Sequence, residues 1–192
     1  MSNENYQIAP YLMGVLKNHL NQLSNKYSKL LPIRLDFSYR SHSPRWHQRN
    51  NDYSTCDICK LMEYLISNGT IVGYAWVVEY TQQHGIHFHT VLYLNAQLQR
   101  SYYPIYQKAE EYWDFITLNQ GNVHDCNRNK ANYTVKGLKP LDYHNDKQRS
   151  NFNYAISYLA KQEQKEIFGD MRGVLGVSYV PEPSGRGRPR MQ

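Results

Sequence analysis

The amino-acid sequence predicts an α+β fold, a single domain in which a central antiparallel sheet carries helices packed on one face. Three observations predict it. Apolar periodicity switches between helical and extended along the chain, in the order helix, strand, helix, strand, strand, helix, strand, helix. The two adjacent strands are separated only by the polar residues TQQHG, a hairpin-length connection. A chain of 192 residues is long enough for one core and short for two.

From Pro10 to about Tyr27, Leu12, Val15, Leu16, His19, Leu20 and Leu23 recur at helical spacing, and Pro10 suits a first helical position. This helix occupies an N-terminal segment, residues 1–29. In LPIRLDFSY, residues 31–39, Ile33, Leu35 and Phe37 alternate with Arg34, Asp36 and Ser38, the period of a half-buried strand. The next residues, 40–55, read as a loop whose Arg40, Arg45, Arg49 and Trp46 either ride on a nucleic-acid backbone or are simply solvated. Ile58, Leu61, Met62, Leu65 and Ile66 predict a helix over 55–67, stopped at Gly69. The hairpin strands are IVGYAWVVEY and IHFHTVLYLN. A helix from Pro104 to Ile116 and a strand over 131–138 follow. The last helix is expected over SNFNYAISYLAKQEQKEIFG, with Ser150 or Asn151 as cap and Gly169 as stop. The main domain thus spans 30–180, and residues 181–192, without apolar periodicity, read as a disordered tail.

A net charge of +6 and a pI near 9.1 suit a polyanionic partner. No stretch approaches the ~20 apolar residues of a membrane span, and the N-terminus lacks a signal-peptide pattern, so the expectation is a soluble cytoplasmic protein without a membrane partner. Cys56, Cys59 and Cys126 are too few and too odd for a disulfide framework. Cys56 and Cys59 with His124 and Cys126 offer zinc-ligand chemistry, but Cys59 adjoins the apolar stripe of its helix, where a buried free thiol suffices.

The stretch HGIHFHTVLYL places His87 and His89 on one strand face with Val91 and Tyr93, while Ile86, Phe88, Thr90 and Leu92 fill the other. Such a pair is met on strands as two surface or hydrogen-bonded histidines; it also ligates a divalent cation once a further donor is near. Glu79 is the best candidate donor, eight residues before His87 on the neighbouring hairpin strand. In NFNYAISYLAKQ, helical steps of ~100° put Tyr154, Tyr158 and Lys161 on one stripe, opposite Phe152, Ile156, Leu159 and Ala160. Taken alone, those tyrosines also read as ordinary residues at a core margin.

Together, a Glu/His/His set on the sheet and a later Tyr-x-x-x-Tyr-x-x-Lys helix resemble the HUH endonuclease superfamily, whose ferredoxin/RRM-like domains nick single strands in rolling-circle replication. The pattern His87-Phe88-His89 carries that likeness, and within the superfamily the chain most resembles the inovirus (filamentous phage) replication-initiator type and the prophage YagK/YfjJ C-terminal domain. The segment RGVLGVS, 172–178, sits where those proteins carry a short Arg/Gly/Ser run. The resemblance implies a sequence-specific single-strand DNA nickase and strand transferase acting through a 5′-phosphotyrosine, in a bacterial cytoplasm. It implies Mg²⁺ or Mn²⁺ held by Glu79, His87 and His89, with Tyr154, Tyr158 and Lys161 catalytic. Single-stranded and origin DNA would be the partners, met by an open sheet face and by Arg45, Trp46 and Arg49. The chain has no Gly-x-x-x-x-Gly-Lys-[Ser/Thr] loop, so a host helicase would do the unwinding. In the tail, Arg186, Gly187, Arg188, Pro189 and Arg190 resemble an AT-hook, an arm suited to the narrow A·T minor groove. The competing expectation is a non-catalytic prophage DNA-binding regulator on the same scaffold.

Overall fold

The computed structural model describes residues 6–48, 51–128, 139–165, 168–169 and 171–182. The elements are α1 (Pro10–Lys26), β1 (Lys29–Tyr39), α2 (Pro44–His47), α3 (Asn51–Ser67), β2 (Gly73–Thr81), β3 (Gly85–Asn95), α4 (Tyr103–Ile116), β4 (Gly121–Asp125), β5 (Leu141–Asp142), α5 (Asp146–Ile156) and β6 (Leu175–Val177). The strands form a six-stranded sheet in the order β4-β1-β3-β2-β6, with β5 also on β1, and every pairing is antiparallel. This is an α+β domain. No helix among the described residues is long and apolar enough to cross a membrane.

Both faces of the sheet are covered, not one. On the first, Phe37 and Phe88 meet Trp113 of α4 edge-on, and Ile58, Leu61, Met62 and Leu65 of α3 are buried. On the second, α1 brings His19 against Tyr93 and α5 brings Phe152 against the same ring. The cause is legible in β2 and β3: Ala75, Val77, Val91 and Tyr93 are as buried as the residues between them, so this end of the second face is apolar and needs a lid. Leu12, Leu16, Leu20 and Leu23 of α1 help supply it, which makes the N-terminal helix part of the one core.

Three other expectations change. Helix α5 starts at Asp146, because Asn145 caps it by accepting from Gln148 N, and it ends at Ile156. A 3-10 turn, Ser157–Ala160, follows, and Lys161 is extended because its backbone bridges Ile8, a tertiary pairing that overrides helical propensity. The edge strands β4 and β6 lay in segments read without strands, since GNVHD and LGV show too little alternation to announce themselves. The strand expected over 131–138 lies outside the described residues. The arginine-rich loop holds a short helical turn, Pro44–His47, capped by Ser43 Oγ accepting from Trp46 N, and α3 begins at Asn51.

Candidate active site

Strand register assembles the site. Pairing of β2 with β3 sets Glu79 opposite His87, and pairing of β1 with β3 sets Asp36 opposite His89. The hairpin turn needs its glycine twice over: Gly85 has φ +68°, and a Cβ there would come within 3.0 Å of the Trp46 indole that closes over it. The Gly85 carbonyl accepts from His87 Nδ1 at 3.2 Å, which leaves His87 Nε2 facing Glu79 Oε2 at 3.5 Å.

His89 is held at both nitrogens, Nδ1 donating to Asp36 Oδ2 at 2.9 Å and Nε2 to Glu79 Oε2 at 3.1 Å. Burial pulls its pKa down, but the two carboxylates outweigh burial and raise it. Asp36 in turn accepts from Arg34 at 3.1 Å; burial works to raise its pKa, and Arg34 and His89 together hold it well below the usual carboxylate range.

Glu79 is wholly buried and central. Lys161 Nζ lies 2.9 Å from its Oε2, and Lys165 Nζ, itself 0% exposed, lies 2.7 Å from its Oε1. Burial pushes the carboxyl upward, yet hydrogen bonds from His87 and His89 and the charges of His89 and Lys165 hold it far below the ordinary value. For Lys165 burial wins over Glu79 and lowers the ammonium pKa; for Lys161 burial loses to the Tyr158 hydroxyl and Glu79, and the pKa is raised. Lys161 is therefore a fixed positive charge at neutral pH, not a base.

Lys161 Nζ also donates to Tyr158 Oη at 3.0 Å. The Tyr158 ring stands edge-on to His89, centroids 5.2 Å apart, with the Arg34 guanidinium 5.4 Å from its centre. Tyr158 and Lys161 thus join the Glu/His/His set. Tyr154 does not: among the described residues its side chain forms no hydrogen bond or ring contact, and the change to a 3-10 turn at Ser157 breaks the stripe that the two tyrosines were expected to share.

The donor set can hold a metal ion. One ligand atom from each of Glu79, His87 and His89 lies within 4.8 Å of the others, and no other such group occurs among the described residues, so the cysteines close no zinc site there. Gly85 O and Asp36 orient the two imidazoles, and Lys165 holds the outer oxygen of Glu79, as supporting partners of metal ligands do. Lys161 shares the inner oxygen.

The expected DNA-contacting residues fare differently. Arg45 is engaged with buried Asp57 at 3.3 Å, which also accepts from Tyr39 Oη, so its guanidinium is committed inside the protein. Trp46 is half-buried over Gly85 rather than offered to a base. Arg49 and Arg186, Gly187, Arg188, Pro189 and Arg190 lie outside the described residues. The histidine face is not open, because α1, α5 and the segment from Ser157 to Lys165 cover it.

Sequence reasoning missed Arg34, Asp36 and Lys165. For the first two a signal existed, since both lie on the polar period of β1; the register that brings Asp36 to His89 was not readable. Comparison with family models, with curated proteins and with solved structures returned no match.

Proposed function

We propose that the protein is a metal-dependent DNA strand-cleaving transferase in which Tyr158 is the nucleophile. The observation that supports this is a short chain of contacts: Tyr158 Oη to Lys161 Nζ at 3.0 Å, and Lys161 Nζ to Glu79 Oε2 at 2.9 Å, beside two oriented imidazoles. A tyrosine oxygen is thereby next to a cation-binding set, as attack on a phosphodiester requires. Mg²⁺ or Mn²⁺ on Glu79, His87 and His89 would supply Lewis-acid charge for the phosphate oxygens.

The chain's own residues do the rest. Lys161 stabilises negative charge growing on Tyr158 Oη as its proton leaves for solvent. That oxygen forms a bond to phosphorus, the bond from phosphorus to O3′ breaks, and O3′ takes up a proton. The products are a 5′-phosphotyrosine and a free 3′-hydroxyl; attack by a 3′-hydroxyl reverses the step and joins strands. With Tyr154 away from the contacts, one tyrosine carries the reaction.

One observation favours the competing reading of a non-catalytic DNA-binding regulator: both oxygens of Glu79 already have ammonium partners. The deciding experiment incubates the protein with a labelled single-stranded oligonucleotide library and Mn²⁺ or Mg²⁺ and looks for a covalent adduct on a denaturing gel. The adduct is expected to need metal, to persist in Tyr154→Phe, and to fall by about three orders of magnitude or more in Tyr158→Phe. Absence of any adduct alongside retained band shifts in native gels would give the regulator.

A further inference from the structure

An open cavity of about 710 Å³ lies between α1 and α5, with Ile8 and Met13 on an apolar side and Lys17, Arg149, Asn153 and Ser157 among its polar groups. Ser157 immediately precedes Tyr158, and Tyr6 ties the two together: its hydroxyl pairs with Ser157 Oγ at 3.3 Å and its ring stands edge-on to Tyr158. In the cavity wall the Oδ1 of Asn153 is buried without a partner among the described residues. That oxygen is reached once the Asn153 side chain turns toward the cavity, and a ligand that donates to it there satisfies a group otherwise left unpaired.

We infer that this cavity holds one nucleotide of the single strand that Tyr158 cleaves, an inference that rests on the reading above. The volume falls in the ~300–1,000 Å³ range of small-molecule sites. The chemistry of the walls matches the three parts of a nucleotide: Ile8 and Met13 receive the flat apolar side of base and sugar, Asn153 meets donors on the base edge, and Lys17 and Arg149 take the phosphate. Asp146, also on the wall, repels a phosphate near it and so favours the phosphate toward Lys17 and Arg149, with base amino groups on its own side. Arg149 also donates to Asn21 of α1 in an exposed hydrogen bond that links its guanidinium to that helix beside the cavity. The cavity therefore supplies the strand path that the committed Arg45 and half-buried Trp46 do not.

The test measures binding of a fluorescent single-stranded oligonucleotide in EDTA, across a salt series, for wild type, Lys17→Gln, Arg149→Gln and Asn153→Ala. Adduct formation with Mn²⁺ and thermal midpoint are followed in parallel. Each charge variant is expected to bind about tenfold more weakly and to reduce the slope of log affinity against log salt by about 0.7, the signature of one lost phosphate contact. Asn153→Ala should weaken binding while leaving the slope unchanged, and all three should melt like wild type. Wild-type affinity and slope in all three variants, with the adduct intact, would overturn the subsite and leave the nickase reading standing. Charge-dependent loss of binding in a protein that forms no adduct would keep the subsite and remove the nickase. Tight binding of a deoxynucleoside monophosphate that depends on Arg149, while oligonucleotide affinity does not, would replace the strand with a free nucleotide.

Discussion

Two regions of the sheet, on opposite faces, are covered by opposite chemistry. Beneath α4 the contacts are aromatic and aliphatic, with Phe37, Phe88 and Trp113 fully buried. Beneath Ser157–Lys165 the buried groups are Arg34, Glu79, His89, Lys161 and Lys165, with Asp36 half-buried beside them. Apolar burial stabilises in proportion to area, whereas burying charges, even well paired, is neutral to unfavourable against apolar residues of equal volume. A patch that a few leucines would stabilise better is instead charged, and the charges converge on one carboxylate beside a tyrosine. Perturbed, partly compensated titratable groups of this kind mark sites of function more often than sites of stability.

Substitutions on each face test that contrast. The largest stability loss is expected at Trp113→Ala, about 4 kcal/mol in chemical denaturation, with no change in metal response. A small loss there would mean that the apolar face is not the main source of stability. Lys165→Met should cost about 3 kcal/mol by leaving a buried carboxylate short of one partner, and Glu79→Gln combined with it should recover a good part of that loss. Additive losses in the double variant would deny the coupling.

A third test uses pH. Burial lowers His19 from 6.5 to about 4, against a smaller upward pull from its Ser178 hydrogen bond. Because the unfolded chain then binds the proton more readily, stability from this group is complete above pH 6.5 and declines as pH falls toward 4. Between pH 6.5 and 5 the decline amounts to about 1.6 kcal/mol, and it should disappear in His19→Gln. His89, raised by Asp36 and Glu79 against burial, works with the opposite sign, stabilising below its unfolded value and losing that contribution as pH rises, so only the difference between wild type and His19→Gln isolates His19. The smallest effect is metal itself: Mn²⁺ at ten times its Kd should add about 1.4 kcal/mol in thermal unfolding, and nothing in His87→Ala. Equal stabilisation of that variant would move the cation elsewhere.

The elements that sequence patterning exposed were the long ones, the amphipathic α1, β1, α3 and α4 and the more uniformly apolar β2–β3 hairpin. The hairpin also made Glu79, His87 and His89 legible, because a short connection leaves little choice of register. Asp36 escaped notice because β1 and β3 pair across α2, α3 and β2, and no local pattern sets that register. Lys165 escaped because its segment leaves the helix, and the cause of that departure, Ile8 bridging Lys161, sits at the other end of the sequence. The lid on the second face was hinted at by the unbroken apolar run VLYL in β3, which a one-sided sheet would not need.

That bridge has a consequence in time. Ala9 N donates to Ala160 O at 2.7 Å and Gln162 N to Gln7 O at 2.9 Å, so the backbone that positions Lys161 is clamped by residues near the start of the sequence. The helix that follows the clamp and both hairpin strands are made before its other half exists, and contacts so distant along the chain are slow to close. A folding chain would therefore assemble its aromatic face first and its charged face last, and the amides of Ala9 and Gln162 should become protected from hydrogen exchange together, after those of β2 and β3. The order keeps Tyr158 and Lys161 away from Glu79 until the rest of the molecule has committed to its shape.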